Sequence, residues 1–160
     1  MTADTVKTEL YSRKKLGRIL VESGLITADQ LGKALRAQKR NRKRLGEIIV
    51  ESGFCTENAI ATTLADQLGL RLLDLKVTPI EQEAVQLVPE RLARKHLIVP
   101  VYVEKESIHL AMADPLSLEA IDDSRFASNR NVLPWIATKA DIVWAINHHY
   151  HLGESLDSIV

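Results

Sequence analysis

Cysteine is almost missing from this chain: Cys55 stands alone in 160 residues. A lone thiol closes no internal disulfide. With no second Cys and no His at ligand spacing beside it, it starts no zinc set either. It lies in an apolar helical phrase and reads as a reduced core thiol. Also missing is any run of 18 apolar residues, and Met1 to Lys15 is polar throughout. Neither a membrane span nor a signal peptide fits that pattern, so the expected location is the cytoplasm, without direct membrane insertion. The phosphate-cradling loop G-x-x-x-x-G-K-[ST] does not occur. No nucleophile, base and orienting group recur at catalytic spacing, so no enzyme acting alone is expected. Net charge is zero, but residues 1–69 hold 12 Lys and Arg against 8 Asp and Glu, whereas 70–160 hold 9 against 13. So small and interleaved an excess argues against DNA or RNA as a partner, since nucleic-acid surfaces need a strong patch of one sign. It suits a small anion better.

What the chain does have is one 24-residue phrase written twice, with a five-residue spacer between the copies. Lys15 to Gln38 reads KLGRILVESGLITADQLGKALRAQ and Arg44 to Gln67 reads RLGEIIVESGFCTENAIATTLADQ. At an offset of 29 they share ten identities: Leu16/Leu45, Gly17/Gly46, Ile19/Ile48, Val21/Val50, Glu22/Glu51, Ser23/Ser52, Gly24/Gly53, Thr27/Thr56, Leu35/Leu64 and Gln38/Gln67. Leu16, Ile19, Leu20, Leu31, Ala34 and Leu35 fall at helical spacing, as do Leu45, Ile48, Ile49, Ile60 and Leu64, which predicts duplicated helical hairpins burying a shared face. Packing does not explain a basic residue before Leu-Gly at the start of each copy, or a Gln at its end. Those positions point to a ligand.

Taken in order, residues 1–13 have no sustained periodicity and are expected to be a flexible arm. A first helix from Lys14 should stop near Ser23, with Gly24 in the left-handed conformation. Thr27 with Gln30 predicts a capping box for a second helix to about Lys39. The spacer Lys39-Arg40-Asn41-Arg42-Lys43 is either a solvated connector or an electrostatic lip for a phosphate ligand. The second copy repeats the hairpin, with Gly53, Thr56 and Gly69 as stop, cap and stop. Leu70 to Leu75 reads as a linker strand at the domain boundary. Thr78-Pro79-Ile80-Glu81 predicts a helix start, and Pro89 opens another helix to about Lys95. Leu97–Glu104 and Ser107–Ala113 read as a hairpin, Leu116–Ser128 as a helix, Val132–Ala137 as a third strand, and Lys139–Tyr150 as a last helix capped by Thr138 with Asp141. The expected fold is α+β. A four-helix subdomain over 14–69, made of two hairpins, precedes a small ααββαβα subdomain with a three-stranded sheet over 70–151, and 152–160 form a tail.

Basic-Leu-Gly, an apolar residue three positions later, then Gly, apolar positions and Gln at fixed spacing resemble the MshEN domain. That domain is the N-terminal region of bacterial ATPases that power type II secretion and type IV pilus assembly, and many members bind cyclic diguanylate. Both copies and the spacer match, while Lys15 stands where the family pattern has Arg. The phrase HLAMADPLSLEAIDDSRF resembles the second subdomain of the same region. The resemblance implies a regulatory binding module, with cyclic diguanylate as ligand and no other cofactor. Its implied partner is a secretion or pilus ATPase, or an inner-membrane assembly protein.

A two-phosphate, two-guanine dianion needs cations, backbone donors and apolar surface. Lys15 and Arg44 bring charge at helix starts, where the exposed N–H groups of Leu16, Gly17, Leu45 and Gly46 add donors and glycine permits close approach. Leu20, Leu31, Leu35, Ile49, Ile60 and Leu64 either supply surface for guanine rings or pack as core. Gln38 and Gln67 can present donor and acceptor together. The alternative is a docking module that links a motor to an inner-membrane assembly protein without any nucleotide. His148, His149 and His151 are consecutive or nearly so and point to different helix faces, which favours solvated or packed rings over a metal site. Ser107, His109 and Asp114 lack catalytic spacing.

Overall fold

Each copy of the repeat folds as a helix, a glycine-stopped turn and a Thr-capped second helix. The computed structural model describes residues 16–159, so the expected arm over 1–13 and Lys15 lie outside them. The chain divides into Met1–Leu70 and Arg71–Val160. In the first unit, α1 covers 16–22 and α2 is Ala28–Asn41. The second copy forms α3, Leu45–Glu51, and α4, Glu57–Leu68.

The two stops are built alike. Gly24 (φ 81°) donates to Val21 O at 3.0 Å while Leu25 donates to Leu20 O at 3.0 Å. Gly53 (φ 78°) donates to Val50 O at 3.0 Å while Phe54 donates to Ile49 O at 3.1 Å. This is the Schellman arrangement, which satisfies the orphan carbonyls of a helix end. Thr27 accepts from Gln30 N–H at 3.1 Å and Gln30 Oε1 accepts from Thr27 N–H at 2.9 Å, a complete capping box. Thr56 accepts from Ala59 N–H at 3.1 Å, but an alanine has no acceptor to return the bond. Helix α2 runs past Lys39 to Asn41, so part of the basic spacer is helical. Lys and Arg are good helix formers and suit the negative end of the dipole. Leu16, Ile19, Leu20, Ile26, Ala34, Leu45, Ile48, Ile49, Ile60, Ala61 and Leu64 make the core of this unit.

The second unit contains α5 (Gln82–Leu87), α6 (Glu90–His96), β1 (Ile98–Glu104), β2 (Ser107–Met112), α7 (Leu118–Ser128), β3 (Asn131–Ile136) and α8 (Lys139–Ile159). The chain is α+β, as expected. Strand order is β1-β2-β3, with β1 antiparallel and β3 parallel to β2. The register slips between Pro100 and Tyr102, leaving Val101 as the extra residue of a bulge on the edge strand. A proline is tolerated there because the outer edge needs no ladder donor. Helices α5, α6 and α8 pack on β1, and α7 packs on β3. Ile98, Ile108, Leu110, Met112, Ile136, Ile142 and Ile146 are fully buried in this core.

Several local expectations are corrected. Thr78 caps no helix: its hydroxyl donates to Asp74 O at 2.7 Å and closes a turn. Glu81 is tied to β1, its N–H donating to Val101 O at 2.8 Å and its carboxylate accepting from Val103 N–H at 3.0 Å, so α5 begins only at Gln82. Leu116 is held out of α7 by Asp114 Oδ1, which accepts its N–H at 3.0 Å, and Ser117 caps the helix instead. Asp141 is half of a box only. Thr138 accepts its N–H at 3.2 Å, but its carboxylate accepts from Leu75 N–H at 3.2 Å. Helix α8 continues to Ile159 through the span expected as a tail, because a lone Gly153 costs only about 1 kcal/mol and no proline follows. The stretch 70–75 adds a single parallel bridge, Leu72 to Ile136, with Leu73 N–H donating to Ile136 O at 2.7 Å.

Candidate functional site

The site expected from the repeat lies in the helical unit, where the two copies meet different surroundings at equivalent positions. Arg44 precedes α3 with extended backbone, and its Nη1 lies 3.5 Å from Glu47 Oε1. Lys43 Nζ reaches both oxygens of Glu51, at 3.0 and 3.1 Å. Every basic residue from 39 to 43 is exposed, and Arg42 takes a left-handed conformation (φ 55°) to close α2. The cationic strip therefore starts on the last turn of α2 and ends at Arg44, the residue that precedes α3. Glu47 and Glu51 are the acids that hold it, and sequence reasoning gave them no part. The i, i+3 spacing of Glu47 from Arg44 was the available signal, whereas Glu51 lies eight positions from Lys43 and gave none.

The glycines diverge most. A Cβ on Gly17 would sit 2.7 Å from Leu31 Cδ1 and 3.0 Å from Cδ2, so Leu31 fills the space over that backbone. A Cβ on Gly46 would meet no described atom within 4 Å. Backbone approach is thus open in the second copy and occupied by a leucine in the first. Leu16 and Leu45 are buried beside them.

Of the six expected apolar side chains, Leu20, Ile49, Ile60 and Leu64 lie in the core. Leu20 and Ile49 expose nothing, so packing accounts for them. Leu31 is half-buried, and Leu35 keeps 41% of its surface. Gln38 Nε2 donates to Lys43 O at 3.2 Å and so closes the spacer, while Gln67 is exposed at the end of α4. Lys15 lies outside the described residues. Burial pushes the Cys55 thiol above its usual pKa, as suits an inert thiol.

The other histidines and acids fall into packed arrangements. His109 stacks on Tyr102 at 3.9 Å and 12°, and its Nδ1 accepts the Trp135 Nε1–H at 2.9 Å. Its Nε2 therefore carries the ring proton, 3.5 Å from Glu104. The Arg71 guanidinium lies 6.0 Å from the Trp135 ring centroid, extending this row along one face of the sheet. His148 stacks on Trp144 at 5.0 Å and meets His149 edge-on at 4.9 Å. Burial, and then the neighbouring His148, lower the His149 pKa.

Comparison with known proteins assigns the architecture. The MshEN domain family model matches residues 68–156, the α+β unit rather than the repeated hairpins. The chain is 36% identical to the type IV pilus assembly ATPase PilB of Myxococcus xanthus over 147 residues, covering 91% of this chain and 26% of that protein. PilB of Thermus thermophilus is 36% identical over 178 residues, with 89% and 20% covered. The chain therefore spans about a quarter or less of the length of these curated relatives. Among solved structures, MshE with cdg (cyclic diguanylate) superposes with a TM-score of 0.69 at 32% identity, covering 84% of this chain and 98% of that one. The N-terminal domain of XpsE gives a TM-score of 0.70 at 27% identity, covering 85% and 94%. Shares that large exceed what the α+β unit alone can supply, so the likeness extends into the hairpins. With the α+β unit matched by the family model and the architecture shared with MshE and XpsE, the chain belongs to the MshEN domain family.

Proposed function

We propose that the helical unit binds cyclic diguanylate, one molecule per chain, and that the α+β unit relays occupancy to a secretion or pilus ATPase in the cytoplasm. The observation that carries this reading is the doubled hairpin, whose two copies offer basic-Leu-Gly starts to a ligand with two like halves. The structural neighbour MshE with cdg supports it. Arg44 is the arginine of the pair and can bond a phosphate through a planar fork, whereas Lys15 offers a point charge. Gly46 leaves its backbone open to approach. Leu31 and Leu35, which keep surface, meet the guanine rings, and Gln38 and Gln67 bond base edges or phosphate.

Calorimetry of the full chain tests this. Cyclic diguanylate is expected to bind at one per chain and GTP more weakly, since GTP lacks the compact two-phosphate ring. Arg44→Ala weakens binding by about tenfold or more, the worth of a lost charge-assisted hydrogen bond. Lys15→Arg tightens it. No heat and no thermal shift at millimolar ligand rejects the reading.

A second reading, protein docking, is favoured for the α+β unit by one observation. Phe126 on α7 is 92% exposed, the most exposed large apolar side chain among the described residues.

A further inference from the structure

Helix α6 ends in Lys95 and His96, and both face acids on α7. His96 is buried, its side chain only 4% exposed, and its Nε2 lies 2.8 Å from Asp123 Oδ2. Lys95 Nζ lies 3.5 Å from Glu119 Oε1. Glu119 and Asp123 are four residues apart on one helix, so their carboxylates share a face and repel each other. One atom from each of His96, Glu119 and Asp123 falls within 4.8 Å of the others, the one such group among the described residues.

We propose that His96, Glu119 and Asp123 form a three-donor site for a divalent transition-metal ion, zinc above all. One imidazole nitrogen and two carboxylate oxygens are the borderline donor set that zinc accepts, with water completing a four-coordinate shell. Bonds of about 2.0–2.2 Å put ligand atoms about 3.4 Å apart in a tetrahedron, so His96 Nε2 and Asp123 Oδ2, 2.8 Å apart, must open slightly while the Glu119 carboxylate closes in. The exposed Glu119 can do so by a change of rotamer. His96 is held by its helix and its burial, and Asp123 is already oriented toward it. The ion takes the place of the proton between Nε2 and Oδ2, and the imidazole keeps its hydrogen on Nδ1. It also replaces Lys95 as the counter-charge of Glu119. Occupancy would staple α6 to α7 at the only place among the described residues where a buried histidine opens onto carboxylates from another helix.

Lys95 makes the proposal separable from a plain His–Asp hydrogen bond. If the three donors hold an ion, Lys95 competes with it, so Lys95→Gln tightens metal binding several-fold. A structural pair alone predicts no change. The full chain is titrated with zinc by calorimetry and with Co(II) by visible absorption. The expected result is one ion per chain, intense low-coordinate Co(II) bands, and a melting temperature that rises with zinc concentration. Glu119→Gln, an exposed position that leaves the metal-free melting temperature alone, weakens binding by about tenfold or more, and His96→Gln abolishes the Co(II) bands. Unchanged binding in both variants places the ion elsewhere and overturns the proposal. So does no binding at one millimolar metal.

Discussion

Gly17 and Gly46 occupy the same place in the two copies, yet substitution should have different consequences. Gly46 lies inside α3 with no described atom within 4 Å of a Cβ, so Gly46→Ala should stabilise the ligand-free chain by about 0.5–1 kcal/mol, the helix-propensity difference. The same methyl fills the space through which a ligand reaches the backbone. A higher melting temperature together with lost cyclic diguanylate binding is therefore expected, and a stabilised protein that binds normally would remove Gly46 from the site. Gly17→Ala instead drives a methyl into Leu31 and tests packing first. Arg44→Ala should leave the ligand-free melting temperature nearly unchanged. Its 3.5 Å contact with Glu47 is a partly exposed i, i+3 pair, worth about 0.3–0.5 kcal/mol before screening.

Among elements, α8 offers the clearest test because a half-buried tyrosine ties it to the end of α5. Tyr150 donates its hydroxyl to Val88 O at 2.7 Å, and burial, with Glu90 adding to it, pushes the phenol well above its ordinary pKa of about 10. The neutral form is the one the fold holds. Below about pH 10 both folded and unfolded chains keep the proton, so the contribution is whole. As pH rises beyond that, the unfolded chain ionises first and stability falls. Wild type should lose melting temperature more steeply than Tyr150→Phe between about pH 10 and 12, while at neutral pH the variant is less stable by about 1 kcal/mol. Parallel slopes would show that the phenol does not titrate with unfolding.

Elements were legible in the sequence where their signals were local. Gly24, Gly53 and Thr27 set their helix ends through bonds within a few residues, and each appears where its residue type predicts. Thr78-Pro79 and Asp141 misled because their bonds are decided elsewhere. Glu81 is claimed by β1 and Asp141 by Leu75, 66 positions away in sequence. The candidate site was legible as a motif but not as a surface. Periodicity alone does not separate Leu20, which is sealed, from Leu35, which is not, because that difference depends on how the second hairpin closes over the first.

For the whole molecule, the charge division and the apolar exposure suggest separate tasks. Residues 70–160 carry the acidic excess, and the most exposed large apolar side chain among the described residues, Phe126, belongs to the same half. An aromatic left in water contributes nothing to folding, so Phe126→Ala should keep the melting temperature of the wild type. Buried against a partner, the same ring would contribute about 1.5–3 kcal/mol, and its loss should weaken association by about tenfold or more. Charge steering is screened over about 10 Å at 0.1 M salt, whereas an apolar anchor is not. The measurement is surface-bound binding of the full chain to the cytoplasmic domain of an inner-membrane assembly protein, with and without Phe126→Ala, at low and high salt. Salt should slow association for both proteins, and the substitution should speed dissociation at either ionic strength. If the alanine variant dissociates at the wild-type rate, Phe126 lies outside the contact and the acidic surface alone must account for the docking.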